Sequence, residues 1–134
     1  MAGQLTIDTL KASSGVLATQ NGMTGVCKAW VKFQGGTSNT AGVVNNSFNV
    51  SSVTVNGTGD YTINFTTAMP NADYILGGCG GRSDPQNGPM GIAIDLATTP
   101  TTSACRVNVG YGGSQASAGS NQNSSYAYAA FFGN

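Results

Sequence analysis

The residues able to do acid–base or nucleophilic chemistry are few. The chain has five aspartates (Asp8, Asp60, Asp73, Asp84 and Asp95), no Glu and no His. A glycosidase needs two carboxylates that meet across a bond. Asp84 and Asp95, within and after a Gly/Pro-rich segment, are the best candidates for such a pair. Asp60, Asp73 and Asp84 also sit beside Gly, Asn or Pro, where Asp is an ordinary turn residue. A Ser or Cys nucleophile has no His to serve as base, and no SxxK motif offers a Lys instead. Residues 77–91 read as a long Gly/Pro loop, but they lack GK[ST], so it is not a phosphate loop. Cys27, Cys79 and Cys105 are odd in number and widely spaced, with no CxxC. That pattern fits neither a disulfide framework nor a zinc site. The sequence therefore points away from catalysis, from a metal and from any cofactor.

Binding chemistry is better supplied. Arg82, Asp84, Gln86 and Asn87 fall in the first long polar segment. Gln115, Asn121, Gln122 and Asn123 fall in a second, spanning 112–125, with Tyr111 and Tyr126 at the edges. Amides and carboxylates match sugar hydroxyls as donors and acceptors, and loops on a rigid scaffold are the usual place for such groups. These ten residues are the candidate ligand contacts. Trp30, between Lys28 and Lys32, is a candidate for a subunit interface, where Trp is enriched, or for the chain's own packing under lysine stems.

The elements that must hold these groups have period two. Cys27, Ala29, Val31 and Phe33 form one face of VCKAWVKF, and Lys28, Trp30 and Lys32 form the other. Cys27 and Cys105 are expected as small buried hydrophobes. Residues 45–74 read as a hairpin whose first arm changes phase: Phe48 and Val50 share a face, Val53 and Val55 the opposite one. A bulge at Ser51–Ser52 restores the register. Gly57 and Gly59 supply the turn, and Tyr61, Ile63 and Phe65 the return arm. GIAIDLA and CRVNVGY alternate likewise, and GQLTIDTL and GVLATQNGM are weaker strand candidates. SYAYAAFFG is apolar on both faces, which places it centrally or against another subunit. Its Tyr126, Tyr128 and Phe132 share one side and Phe131 takes the other. Trp30, Tyr128, Phe131 and Phe132 are thus expected at a subunit interface. No window has helical periodicity. The expected fold is all-β: an antiparallel β-sandwich or barrel-like, jelly-roll-type module without substantial helix. Residues 1–15 are read as an N-terminal arm or attachment strand and 16–134 as one domain.

Composition narrows the partners. Only 7% of the 134 residues are charged and the net charge is zero, against about 25% charged in ordinary proteins. Scattered cations do not suit nucleic acid or an anionic membrane, and no run of residues is long and apolar enough to insert as a spanning helix. Ser, Thr and Asn make up 41 residues and Gly 20, so the polar surface is hydroxyl, amide and backbone. Weak charge favours self-association. Free thiols without a framework fit folding in a reducing cytoplasm.

KAWVKFQG followed by SFNVSSVTVNGTGDYTINFTTAMPNADY resembles the C-terminal segment of bacteriophage tail fibres and related appendage proteins. There a K-A-W-V-x-F strand precedes S-x-N-V-S-S-[VI]-T-x-N-G-T-G-D-Y-T-[VI]-N-F and an A-M-P-x-A-x-Y turn. AFFGN resembles the family's last strand. The likeness covers 23–78 and the terminus. It implies a virion protein, usually a homotrimer, attached to other tail or capsid proteins, with exposed loops that meet host-surface glycan. In many relatives the module ends a long fibre, whereas here it begins near Met1. That departure raises a small capsid decoration or head-fibre protein as an alternative. A non-viral lectin module and a minimal glycan hydrolase are more distant ones.

Overall fold

A computed structural model of the chain describes residues 25–36, 42–81, 89–111 and 120–133. Nine strands and no helix occur among them: β1 (Val26–Phe33), β2 (Val44–Phe48), β3 (Val50–Gly57), β4 (Asp60–Phe65), β5 (Ile75–Gly81), β6 (Gly91–Ile94), β7 (Ala104–Tyr111), β8 (Ser120–Asn121) and β9 (Tyr126–Gly133). They form two antiparallel sheets. Sheet A has the order β2-β1-β9-β5, and sheet B has the order β3-β4-β7-β6, with β8 added to β7. The architecture is a β-sandwich, not a closed barrel. The 1–15 arm and the two N-terminal strand candidates lie outside the described residues.

The core lies between the inner faces. Sheet A contributes Ala29, Val31, Phe33, Ala127, Ala129 and Phe131, and sheet B contributes Tyr61, Ile63, Phe65, Cys105, Val107 and Val109, all buried. Edge-to-face aromatic contacts tie the layers: Phe33 to Tyr61 at 5.0 Å, and Phe131 to Phe65 at 5.0 Å and to Tyr74 at 5.6 Å. This arrangement complements each ring's negative face with a positive edge. Burial pushes the phenols of Tyr61 and Tyr74 and the thiol of Cys105 above their ordinary pKa values. These three groups are therefore neutral at pH 7.

The 45–74 stretch departs from a simple hairpin. Its first arm is two strands in two sheets: β2 pairs with β1, and β3 pairs with β4. The chain changes layers at Asn49, which takes φ 54°, a left-handed conformation that Asn tolerates better than most residues. Its side chain fixes the corner. Nδ2 donates to Lys28 O at 3.0 Å and Thr67 O at 3.1 Å, while Oδ1 accepts from Thr67 N at 2.7 Å. The expected bulge is present, with the register shifting between Val50 and Ser52. Of the two turn glycines, only Gly59 has positive φ.

Two more expectations are corrected. Cys27 is not on the core face, because a register shift between Cys27 and Ala29 reverses the phase and sets Cys27 opposite Phe132. The bulged Lys28 is buried. Residues 77–81 are not loop but the second half of β5, paired along β9 from Ile75↔Phe132 to Gly81↔Tyr126. The glycines there admit the other layer. A Cβ on Gly80 would lie 2.8 Å from Met90 Cβ and 3.0 Å from Val109 Cγ1, and one on Gly78 would lie 2.9 Å from Ile92 Cγ2.

Candidate functional site

The outer faces of the two sheets differ in chemistry. Sheet B exposes a ladder of amides and hydroxyls that satisfy one another. Asn64 Nδ2 donates to Ser52 Oγ (3.0 Å) and Thr54 Oγ1 (3.1 Å), and Asn56 Nδ2 donates to Thr62 Oγ1 (2.9 Å) and Asp60 Oδ1 (3.2 Å). Arg106 grips Asp60 in two-point fashion, Nε to Oδ1 at 2.8 Å and Nη2 to Oδ2 at 2.5 Å, and its Nε lies 3.3 Å from Asp95 Oδ2. The hydrogen bonds from Arg106 hold the Asp60 carboxyl below its ordinary pKa of 3.8. Asp60 is thus a poor proton donor near neutrality. Asp95 also accepts Ala97 N at 2.9 Å, which makes it a turn cap. Asp84, its expected partner, lies outside the described residues.

Sheet A exposes rings instead. Strand register fixes which residues share its outer face. Gly77, Ala130, Trp30 and Phe48 form one row across the sheet, and Cys79, Tyr128, Lys32 and Asn46 form the next. Gly77 and Ala130 carry little side chain, so the first row is low at its β9–β5 end, with Trp30 rising next to Ala130 in the same row and Tyr128 in the next. The result is a furrow of about 410 Å3, lined chiefly by Trp30, Lys32, Asn46, Gly77, Tyr128 and Ala130. Trp30 is 37% exposed, and Tyr126 and Tyr128 are 38% exposed each, so the rings are neither core nor loose. Lys32 Nζ sits over the Tyr126 ring at 4.5 Å and near the Tyr128 ring at 5.8 Å, within cation–π reach.

The candidate residues named from sequence scatter against this map. Trp30, Tyr126, Tyr128 and Phe132 share the outer face of sheet A. Phe131 does not: it is fully buried in the chain's own core, because β9 alternates and Phe131 takes the inward phase opposite Ala29. Asn123 is structural, its Oδ1 accepting Gly59 N at 2.9 Å and lying 3.1 Å from Tyr61 OH. Gln122 N donates to Val109 O at 2.9 Å. Asn121 belongs to β8, where its Nδ2 donates to Asn108 Oδ1 at 3.1 Å. Tyr111 ends β7 in register with Ser120. Arg82, Asp84, Gln86, Asn87 and Gln115 lie outside the described residues. Sequence reasoning missed Lys32, Asn46, Gly77 and Ala130 as parts of one site. The available signal was the pairing of small residues on β5 and β9 with rings on β1.

The fold and this face define a β-sandwich with one polar, self-satisfied surface and one aromatic, furrowed surface. Compared with family models, curated proteins and solved structures, the chain matches none.

Proposed function

We propose that this chain is a non-enzymatic display module of a bacteriophage tail fibre, part of the virion, that recognises host-surface glycan and assembles as a homotrimer. The observation that carries the reading is the contrast between the outer faces. On sheet B the side-chain donors and acceptors are largely spent on one another. On sheet A, by contrast, a furrow walled by Trp30 and Tyr128 faces outward, its rings two-thirds covered yet open above. Such clefts of aromatic walls with a few polar groups are the usual form of small-ligand sites, at about 300–1,000 Å3. The apolar face of a sugar ring fits against an aromatic face. The resemblance to tail-fibre termini adds support, because Trp30 and Lys32 fall within its first motif and the strand carrying Tyr128 ends in its last. The trimer draws on the apolar end of the same sheet, where Ile75 is 68% exposed beside the half-buried Phe132.

Adsorption of phage bearing this chain tests the reading. Purified protein in excess is expected to block adsorption to host cells. Unchanged adsorption at a concentration that saturates the cells overturns it.

A further inference from the structure

We propose that the sheet A furrow takes an acidic pyranose, its ring laid against Trp30 and Tyr128 and its carboxylate against the Lys32 ammonium. This rests on the glycan-recognition reading and specifies the class of sugar.

Charge is the first reason. The ammonium of Lys32 sits over the Tyr126 ring, 4.5 Å from its centre, and 5.8 Å from the centre of the Tyr128 ring, and has no carboxylate or hydrogen-bonding partner among the described residues. Of the described carboxylates, Asp60 and Asp95 are held by Arg106 on the far sheet, and Asp73 lies in the turn before β5. Among the described residues, then, a cation stands at the aromatic rim of the furrow, over the Tyr126 ring, with no carboxylate beside it. A bound carboxylate completes it, and a charge-assisted hydrogen bond beside apolar rings is stronger than its neutral counterpart.

Shape and polarity are the second. The low floor at Gly77 and Ala130 lets a flat ring approach the backbone of sheet A, and a furrow of about 410 Å3 lies in the range of small-ligand sites. Asn46 stands across the strand pair from Lys32. Its Oδ1 accepts Ser47 N at 2.9 Å, which leaves its Nδ2 donor without a partner among the described residues. Ring walls in the furrow, with the Lys32 ammonium and the Asn46 amide at its rim, select for a sugar that carries an apolar ring face, hydroxyls and an acid. A second copy of the chain is a poorer occupant, since two furrows meeting face to face would set Lys32 against Lys32.

The chain has a single tryptophan, so Trp30 emission reports the site directly. Two acid and neutral pairs serve as probes: trigalacturonate with galactotriose, and 3′-sialyllactose with lactose. The two acids separate a uronate from a sialate source. At low salt at least one acid is expected to change Trp30 emission saturably, and to bind about tenfold tighter than its neutral partner. The preference should shrink as salt screens the charge. Lys32→Met should abolish the acid preference while keeping neutral binding, and Tyr128→Ala should weaken both. Equal binding of acid and neutral partners, or a preference that survives Lys32→Met, overturns the acidic assignment and leaves glycan recognition standing. If no sugar alters Trp30 emission, the furrow proposal fails as a whole. Acrylamide then tells whether a second copy shields Trp30, and adsorption competition decides the display reading separately.

Discussion

Replacing Phe131 with Ala removes a ring that is fully buried and meets Phe65 and Tyr74 edge-on at 5.0 Å and 5.6 Å. Phe→Ala at such a site costs about 3–5 kcal/mol, combining lost transfer free energy with the cavity left behind. For a chain of this length each kcal/mol moves the midpoint by roughly 3–5 °C. Thermal unfolding should therefore shift down by roughly 10–20 °C, a large part of the roughly 5–15 kcal/mol that holds a domain together. The neighbouring Phe132 points the other way, opposite Cys27 and Ile75 on the outer face of sheet A. Phe132→Ala should cost no more than about 1 kcal/mol in the isolated chain, and any larger effect should appear only at concentrations where the chain assembles. Circular dichroism melts of both variants at two concentrations a hundredfold apart make the comparison. Equal losses for Phe131→Ala and Phe132→Ala in dilute protein would refute the assignment of faces along β9.

Three other perturbations have defined outcomes. Tyr61 is fully buried and donates to Gly35 O at 2.8 Å. Tyr61→Phe leaves that carbonyl unpaired and should cost about 1–3 kcal/mol in urea unfolding, with no change in the urea m-value. Asn49→Ala removes the corner hydrogen bonds and strains a left-handed residue, so it should destabilise by about 2 kcal/mol or more. Asn49→Gly should recover about 1 kcal/mol of that in the same melts. The Asp60 carboxyl has a folded pKa below its ordinary 3.8, so its contribution is complete above that value and is lost as pH falls through the lower, folded pKa. The stability gap between wild type and Arg106→Met should therefore be constant from pH 7 to about 5 and close below about pH 4. A gap that widens toward acid would contradict the ion pair.

Much of the sandwich is legible in the sequence because alternation is a local signal. Tyr61, Ile63 and Phe65 announce the inward face of β4, and Cys105, Val107 and Val109 that of β7. The phase change after Val50 signals a bulge. It does not reveal that the chain leaves one sheet for the other at Asn49, since that depends on bonds from Asn49 to Lys28 and Thr67, about 20 residues away in either direction. Glycines mislead at 77–81 for a related reason. A Gly run reads as loop unless one knows that Met90, Val109 and Ile92 crowd the positions where Cβ atoms would be. The furrow is least legible. Trp30 and Tyr128 are 98 positions apart, and the low floor beside them comes from Ala130 and Gly77, residues with no chemistry to attract notice. Composition pointed to the polar loops, yet Asn121, Gln122 and Asn123 are largely occupied in holding β8 and the β3–β4 turn.

The most direct test is adsorption competition with variants that separate the two outer faces. Trp30→Ala and Tyr128→Ala alter the furrow, while Asn64→Ala and Thr54→Ala alter the ladder of sheet B. With all four shown folded by circular dichroism, the furrow variants should lose the ability to block adsorption, whereas the ladder variants should block as well as wild type. Full blocking by the furrow variants, or loss confined to the ladder variants, would contradict the assignment of recognition to sheet A.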